Sequence, residues 1–188
     1  MSAVALDPHT LAAPSPWVAR WAAELPAGTS VLDVACGSGR HVRWLAARGL
    51  QVTGIDRDAA ALSGLAGIAQ TIVADIEGNP WPLPAGATFD AVVVTNYLHR
   101  PLWPRLLAAV APGGRLIYET FAVGNETVGK PSNPAFLLAP GELLDAVRAQ
   151  LRVIGYEDGF LESPREAYVQ RVCAVREPAG SVAPRYAL

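Results

Sequence analysis

Val31-Leu32-Asp33-Val34-Ala35-Cys36-Gly37-Ser38-Gly39-Arg40-His41 is an apolar run that ends in a carboxylate and turns through small residues into a helical pattern. The order reads as strand, ligand-binding turn and helix start. Gly37 and Gly39 let backbone approach a ligand where a β-carbon would block it, and the first N–H groups of a helix favour an anionic group. A second strand pattern, Gln51-Val52-Thr53-Gly54-Ile55, ends in Asp56, seventeen positions after Gly39. That is the spacing at which a strand-end acid meets a ribose diol, so the two stretches together predict an adenosine site.

The missing residues narrow the ligand. A dinucleotide turn needs a third glycine where this chain has Val42, and no G-x-x-x-x-G-K-[ST] phosphate loop occurs. What remains, Asp33-x-Ala35-Cys36-Gly37-Ser38-Gly39 with Asp56 and then Asp75-Ile76, resembles the class I S-adenosylmethionine-dependent methyltransferases over about residues 15–176. Ala35 stands at the family's usual glycine. The resemblance implies S-adenosylmethionine as cofactor, held by Asp33, Ala35, Cys36, Gly37, Gly39, Asp56, Arg57, Asp75, Ile76, Thr95 and Asn96. Asp75 would accept the adenine amino group while Ile76 covers the ring. The plainer reading is that a glycine turn and two strand-end acids close βα units, with Asp75 a turn or helix cap.

Composition sets the outer bounds. A chain of 188 residues, 51% of them hydrophobic, suits one domain with a sizeable core. It has no run of about 18 apolar residues that could span a bilayer and no charged-then-apolar leader, which predicts a cytoplasmic protein without membrane contact. Cys36 and Cys173 form no C-x-x-C spacing and are expected as free thiols. Net charge is −2 and Lys130 is the only lysine, so nucleic acid is disfavoured as a partner and a small-molecule acceptor favoured. Nothing in the pattern fixes an oligomeric state.

Along the chain, residues 1–14 read as a mobile arm. Ser15-Pro16 reads as a helix cap, and Trp17, Val18, Trp21 and Leu25 as a helical stripe ended by Pro26-Ala27-Gly28. The stripe either packs on the sheet or lets Trp17 and Arg20 cover the cofactor. A helix from Arg40 to Arg48 buries Val42, Leu45 and Ala46; His41 at its start faces solvent or leans toward the ligand. A short helix over residues 58–65 and a strand over 70–74 follow, then a proline-rich loop over 77–88.

Phe89 to Val94 is the near-continuous apolar run of a central parallel strand, and it delivers Thr95-Asn96-Tyr97-Leu98-His99-Arg100. Ligands of open α/β sheets bind outside the carboxyl ends of strands, so this hexapeptide is expected to face the acceptor. Tyr97 would position it, His99 would accept a proton and Arg100 would orient an anion through its planar fork. Equally, Arg100-Pro101 would only open the next helix and His99 would sit hydrogen-bonded at the sheet edge. Pro101 starts a helix through Val110, Ala111-Pro112-Gly113-Gly114 closes it, and a fifth strand over 115–118 runs into Glu119, a further catalytic candidate. The polar loop beyond it carries Asn125 and Lys130, expected to bind substrate.

A helix over 140–150 and strands over 151–156 and 168–175 complete a single domain, residues 15–176, with a loose tail over 177–188. The alternation predicts an α/β, Rossmann-like, seven-stranded, mostly parallel sheet flanked by helices, its last strand antiparallel; the resemblance implies the order 3-2-1-4-5-7-6. A sulfonium methyl is already activated, so alignment and exclusion of water suffice and no metal is expected. Within the superfamily the C-G-x-G-R turn, the V-T-x-x-D strand and Gly141-Glu142-Leu143 are similar to the tellurite-resistance methyltransferases and their small-molecule relatives. Their His-Arg pair after the sixth strand is replaced by Leu161-Glu162-Ser163, so those catalytic groups do not carry over. Two functions stand: a methyltransferase for a small acceptor, and a catalytically silent S-adenosylmethionine-binding module.

Overall fold

Four residues in β4 (Phe89–Thr95), Ala91 to Val94, are fully buried on both faces, and the sheet is built outward from them. A computed structural model describes residues 13–180, 185 and 186. Most of the expected arm over 1–14, all but residues 13 and 14, and half of the expected tail over 177–188 therefore lie outside the described residues. Parallel to β4 on one side runs β1 (Ser30–Val34), followed by β2 (Gln51–Asp56) and β3 (Gln70–Val73). On the other side lies β5 (Val110–Phe121), and then the antiparallel pair β7 (Ala167–Val175) and β6 (Arg152–Leu161). Among the described residues this is the seven-stranded order 3-2-1-4-5-7-6.

Strand alternation divides the core into two faces. Leu32, Val34, Val92, Val94, Leu116 and Tyr118 form one, covered by α4 (Trp103–Ala108) and α5 (Glu142–Arg148). Val31, Ala91, Val93 and Ile117 form the other, covered by α1 (Pro16–Ala22), α2 (Arg40–Ala47) and the short α3 (Ala59–Ser63). α1 starts as expected, with Ser15 Oγ accepting from the Trp17 N–H at 3.1 Å and Pro16 in the first turn. It ends at Ala22, short of Leu25. Trp17 is core: it is 3% exposed, and its indole N–H donates to the Val172 carbonyl at 3.2 Å.

Two sequence readings are corrected. The fifth strand begins at Val110, because Ala111-Pro112-Gly113-Gly114 continues as an irregular strand edge bonded through Gly113 and Gly114 to Arg176. A β-carbon on Gly114 would stand 2.9 Å from three carbonyl oxygens, so the segment reads as a turn although it pairs. His41 neither faces solvent nor leans to the ligand. It is 2% exposed, and its Nε2 accepts the Ser15 N–H at 3.0 Å, which fastens the start of α1 to α2.

Candidate active site

At the carboxyl ends of β1 to β4 a cleft of about 610 Å³ opens. Its base is the turn after β1, where Ala35, Gly37 and Gly39 all take positive φ, of 55°, 55° and 78°. Gly39 has no room for a side chain, since a β-carbon there would meet Leu65 at 2.6 Å. Ala35 adopts the same left-handed backbone with a β-carbon, a conformation that costs such a residue about 1–2 kcal/mol. Asp56 closes the turn from β2: its carboxylate accepts the Gly37 N–H at 2.7 Å and the Asp58 N–H at 2.9 Å. Arg57 lines the cleft beside it.

Asp75 sits at the far wall with the buried Ile76. Its carboxylate accepts the Glu77 and Gly78 N–H groups at 3.0 and 3.3 Å, and the first of these bonds chiefly holds its pKa below the usual range. Asp75 is thus a turn cap whose side chain also lines the cleft. Asp33 lies behind the turn, 1% exposed, with one carboxylate oxygen that has no partner among the described residues. Burial pushes its pKa up to about 8, against the pull of Arg40. Cys36 points away, its sulfur packed against Gly54, and burial raises its thiol pKa.

The hexapeptide after β4 is split between roles. Asn96, at φ 54°, and Tyr97 line the cleft, and the Tyr97 hydroxyl is buried without a partner among the described residues. Thr95 turns its hydroxyl toward His41 Nδ1 at 3.4 Å and does not line the cleft. His99 stands 3.8 Å from Glu77 and borders neither this cleft nor the second chamber. Arg100 is not available to orient an anion: its guanidinium donates to the Glu142 carboxylate at 2.5 and 2.9 Å and to the carbonyls of Ala135 and Leu137 at 2.9 Å each. Asn125 is likewise structural, buried between the Pro131 carbonyl and the Tyr168 N–H, and Lys130 is exposed outside both cavities.

A second chamber of about 800 Å³ adjoins the first over the ends of β5 and β7. Asn96 and Phe121 line both. Glu119 faces it, 8% exposed, accepting the Ser15 hydroxyl at 2.8 Å and Arg171 Nη1 at 3.1 Å. Arg171 also donates from Nε to Glu157 at 2.8 Å. Sequence reading missed Arg40, Arg165 and Arg171 in this wall. Arg171 is set opposite Glu119 by the antiparallel register of β5 and β7, which no local pattern in the sequence carries. Arg165, in the turn between β6 and β7, has no periodic signal.

A methyltransferase domain profile matches residues 31–114. Trans-aconitate 2-methyltransferase of Paracidovorax citrulli is 32% identical over 148 residues, covering 72% of this chain and 56% of that protein. Ribosomal protein L11 methyltransferase of Bordetella parapertussis is 39% identical over 102 residues, covering 50% and 32%. The chain thus spans little more than half the length of the first relative and a third of the second. The crystal structure of TehB from Haemophilus influenzae superposes with a TM-score of 0.71 at 19% identity, over 85% of this chain and 61% of that one.

Residues 31–114 match a methyltransferase domain, and the fold is that of the class I S-adenosylmethionine-dependent methyltransferases.

The cofactor of that family is S-adenosylmethionine, and the cleft fits it on its own chemistry. An acid at the end of β2, a second acid beside an apolar side chain at β3, a turn with open backbone at Gly37 and an unpaired buried carboxylate oxygen on Asp33 suit a ligand that carries a diol, an aromatic amine and a cationic amino-acid end. Asp56, Arg57, Asp75 and Ile76 would hold the adenosine. Ala35, Gly37 and Asn96 would border the rest.

Proposed function

We propose that the chain transfers a methyl group from S-adenosylmethionine to a small-molecule acceptor. The observation that carries this is the junction of two cavities at Asn96 and Phe121: one is lined by the cofactor set, the other is a recess in the same sheet edge with its own polar groups. When bound, the cofactor supplies an activated methyl carbon. The chain's own work is to hold an acceptor in line beside it and keep water out, which can supply most of the acceleration.

In this reading Glu119, fixed by Ser15 and Arg171, is the acceptor-side carboxylate, and Tyr97 positions the reacting end from the cofactor side. His99 and Arg100 shape the wall from behind. The trans-aconitate methyltransferase among the relatives supports a small acceptor; the ribosomal-protein methyltransferase keeps a macromolecule as an outcome of the test. The test is calorimetric binding of S-adenosylmethionine followed by an acceptor panel with labelled cofactor, reading S-adenosylhomocysteine release. Turnover on small acceptors that survives EDTA supports the proposal. Cofactor binding without turnover on any acceptor class replaces it with the silent module.

A further inference from the structure

The charges of the second chamber specify an acceptor chemistry, an inference that rests on the methyl-transfer reading. Arg40, Arg165 and Arg171 line it against one carboxylate, Glu119. Arg171 and Glu119 satisfy each other at 3.1 Å, and Arg171 is further neutralised by Glu157 at 2.8 Å. Arg40 lies close enough to the buried Asp33 for its charge to be felt there. Arg165, itself exposed, has no such acid among the described residues. Glu162 and Glu166, its loop neighbours, are exposed and make no ion pair with it among the described residues.

Its guanidinium lies 5.3 Å from the centroid of the Phe121 ring, the wall shared with the cofactor cleft. A guanidinium resting on an aromatic face keeps its N–H fork for an in-plane acceptor, and the planar two-oxygen group that matches this fork is a carboxylate. Leu161, Ala167 and Val169 give the rest of the wall an apolar lining suited to a carbon skeleton. A neutral polar acceptor would not fill that fork with two oxygens as a carboxylate does, and a cationic one would be repelled by it. We infer that the second chamber takes a small organic acid, its carboxylate on Arg165 and its body between Phe121 and Val169.

The experiment titrates succinate and tricarballylate into protein saturated with S-adenosylhomocysteine, with the corresponding amides and inorganic phosphate as controls. The expected result is carboxylate binding that the amides do not show, weakened about tenfold or more by Arg165→Ala and partly kept by Arg165→Lys. Carboxylates and amides giving the same heat, or Arg165→Ala binding carboxylates as the parent does, would overturn the inference. Phosphate binding as tightly as the carboxylates would overturn the organic-acid assignment. S-adenosylhomocysteine affinity, measured first in both proteins, separates the two proposals. Its absence from the parent protein sinks the methyl-transfer reading and this inference with it; equal affinity in both with no carboxylate binding sinks this inference alone.

Discussion

Around β1, β2 and β3 the polar groups of the cleft are held by backbone close by in sequence: Asp56 by the N–H groups of Gly37 and Asp58, 19 and 2 positions away, and Asp75 by those of Glu77 and Gly78. Around β5 and β7 the chamber is held by side chains far apart, with Ser15 reaching Glu119 across 104 positions and Glu119 meeting Arg171 across 52. The first half is set by local turns and one parallel strand pair. The second exists only once α1, β5 and β7 have come together. Damage to the first half should therefore be local and fall on cofactor affinity, whereas damage to the clamps of the second should spread into stability.

The largest expected effect is at Asp56. Asp56→Ala should weaken S-adenosylmethionine or S-adenosylhomocysteine binding about 10- to 100-fold, the scale of charge-assisted hydrogen bonds, in a protein that calorimetry and circular dichroism show to be folded. Unchanged affinity would break the assignment of the first half.

Acid tests the joint between the halves. Burial pushes His41 down to about 3 from its usual 6.5, so between these values the unfolded chain binds a proton that the fold refuses, and acid favours unfolding. Urea denaturation should show the parent losing up to about 1.4 kcal/mol per pH unit below pH 6.5 relative to His41→Gln, which can still accept from Ser15. Asp33, whose raised pKa makes acid favour the fold between 3.8 and about 8, acts in the opposite sense but is common to both proteins and drops out of the difference. Parallel pH profiles would show that His41 titrates normally and that α1 is not fastened through it.

Arg100 comes next in size. Arg100→Ala should cost about 1–2 kcal/mol of stability, since it frees Glu142 and two loop carbonyls at a partly exposed site, and should leave cofactor affinity within about twofold. A large loss of acceptor binding without loss of stability would return Arg100 to the site. The smallest effect is at Ala35, where Ala35→Gly removes the left-handed penalty but loosens the unfolded chain. The two nearly offset, leaving a gain of at most about 1 kcal/mol by thermal melting. A destabilised glycine variant would mean that the turn is not strained as its φ of 55° implies.

Legibility followed the same division. The places of Asp56, Asp75 and the turn glycines at the strand ends could be read because strand-end acids and small residues keep a fixed distance along the chain from the backbone they serve. His99 and Arg100 could not, because one position along the segment after β4 decides whether a side chain enters the cleft or turns behind it. Tyr97 lines the cleft while His99 meets Glu77. Lys130 and Asn125 stand out in the sequence by polarity alone, which does not distinguish a buried loop brace such as Asn125 from a ligand contact.

By itself the sequence determined the alternation of strands and helices, the turn after β1 and the strand-end acids beside it, since hydrophobic period and glycine placement are local properties that any register would preserve. The tertiary structure decided the burial of His41, the extension of β5 back to Val110, the capture of Arg100 by Glu142 and the arginine-lined chamber. Each of these depends on which distant side chain fills the space opposite. That is fixed by the antiparallel pairing of β5 with β7 and by the seating of α1 on them, contacts between segments whose order along the chain carries no periodic trace.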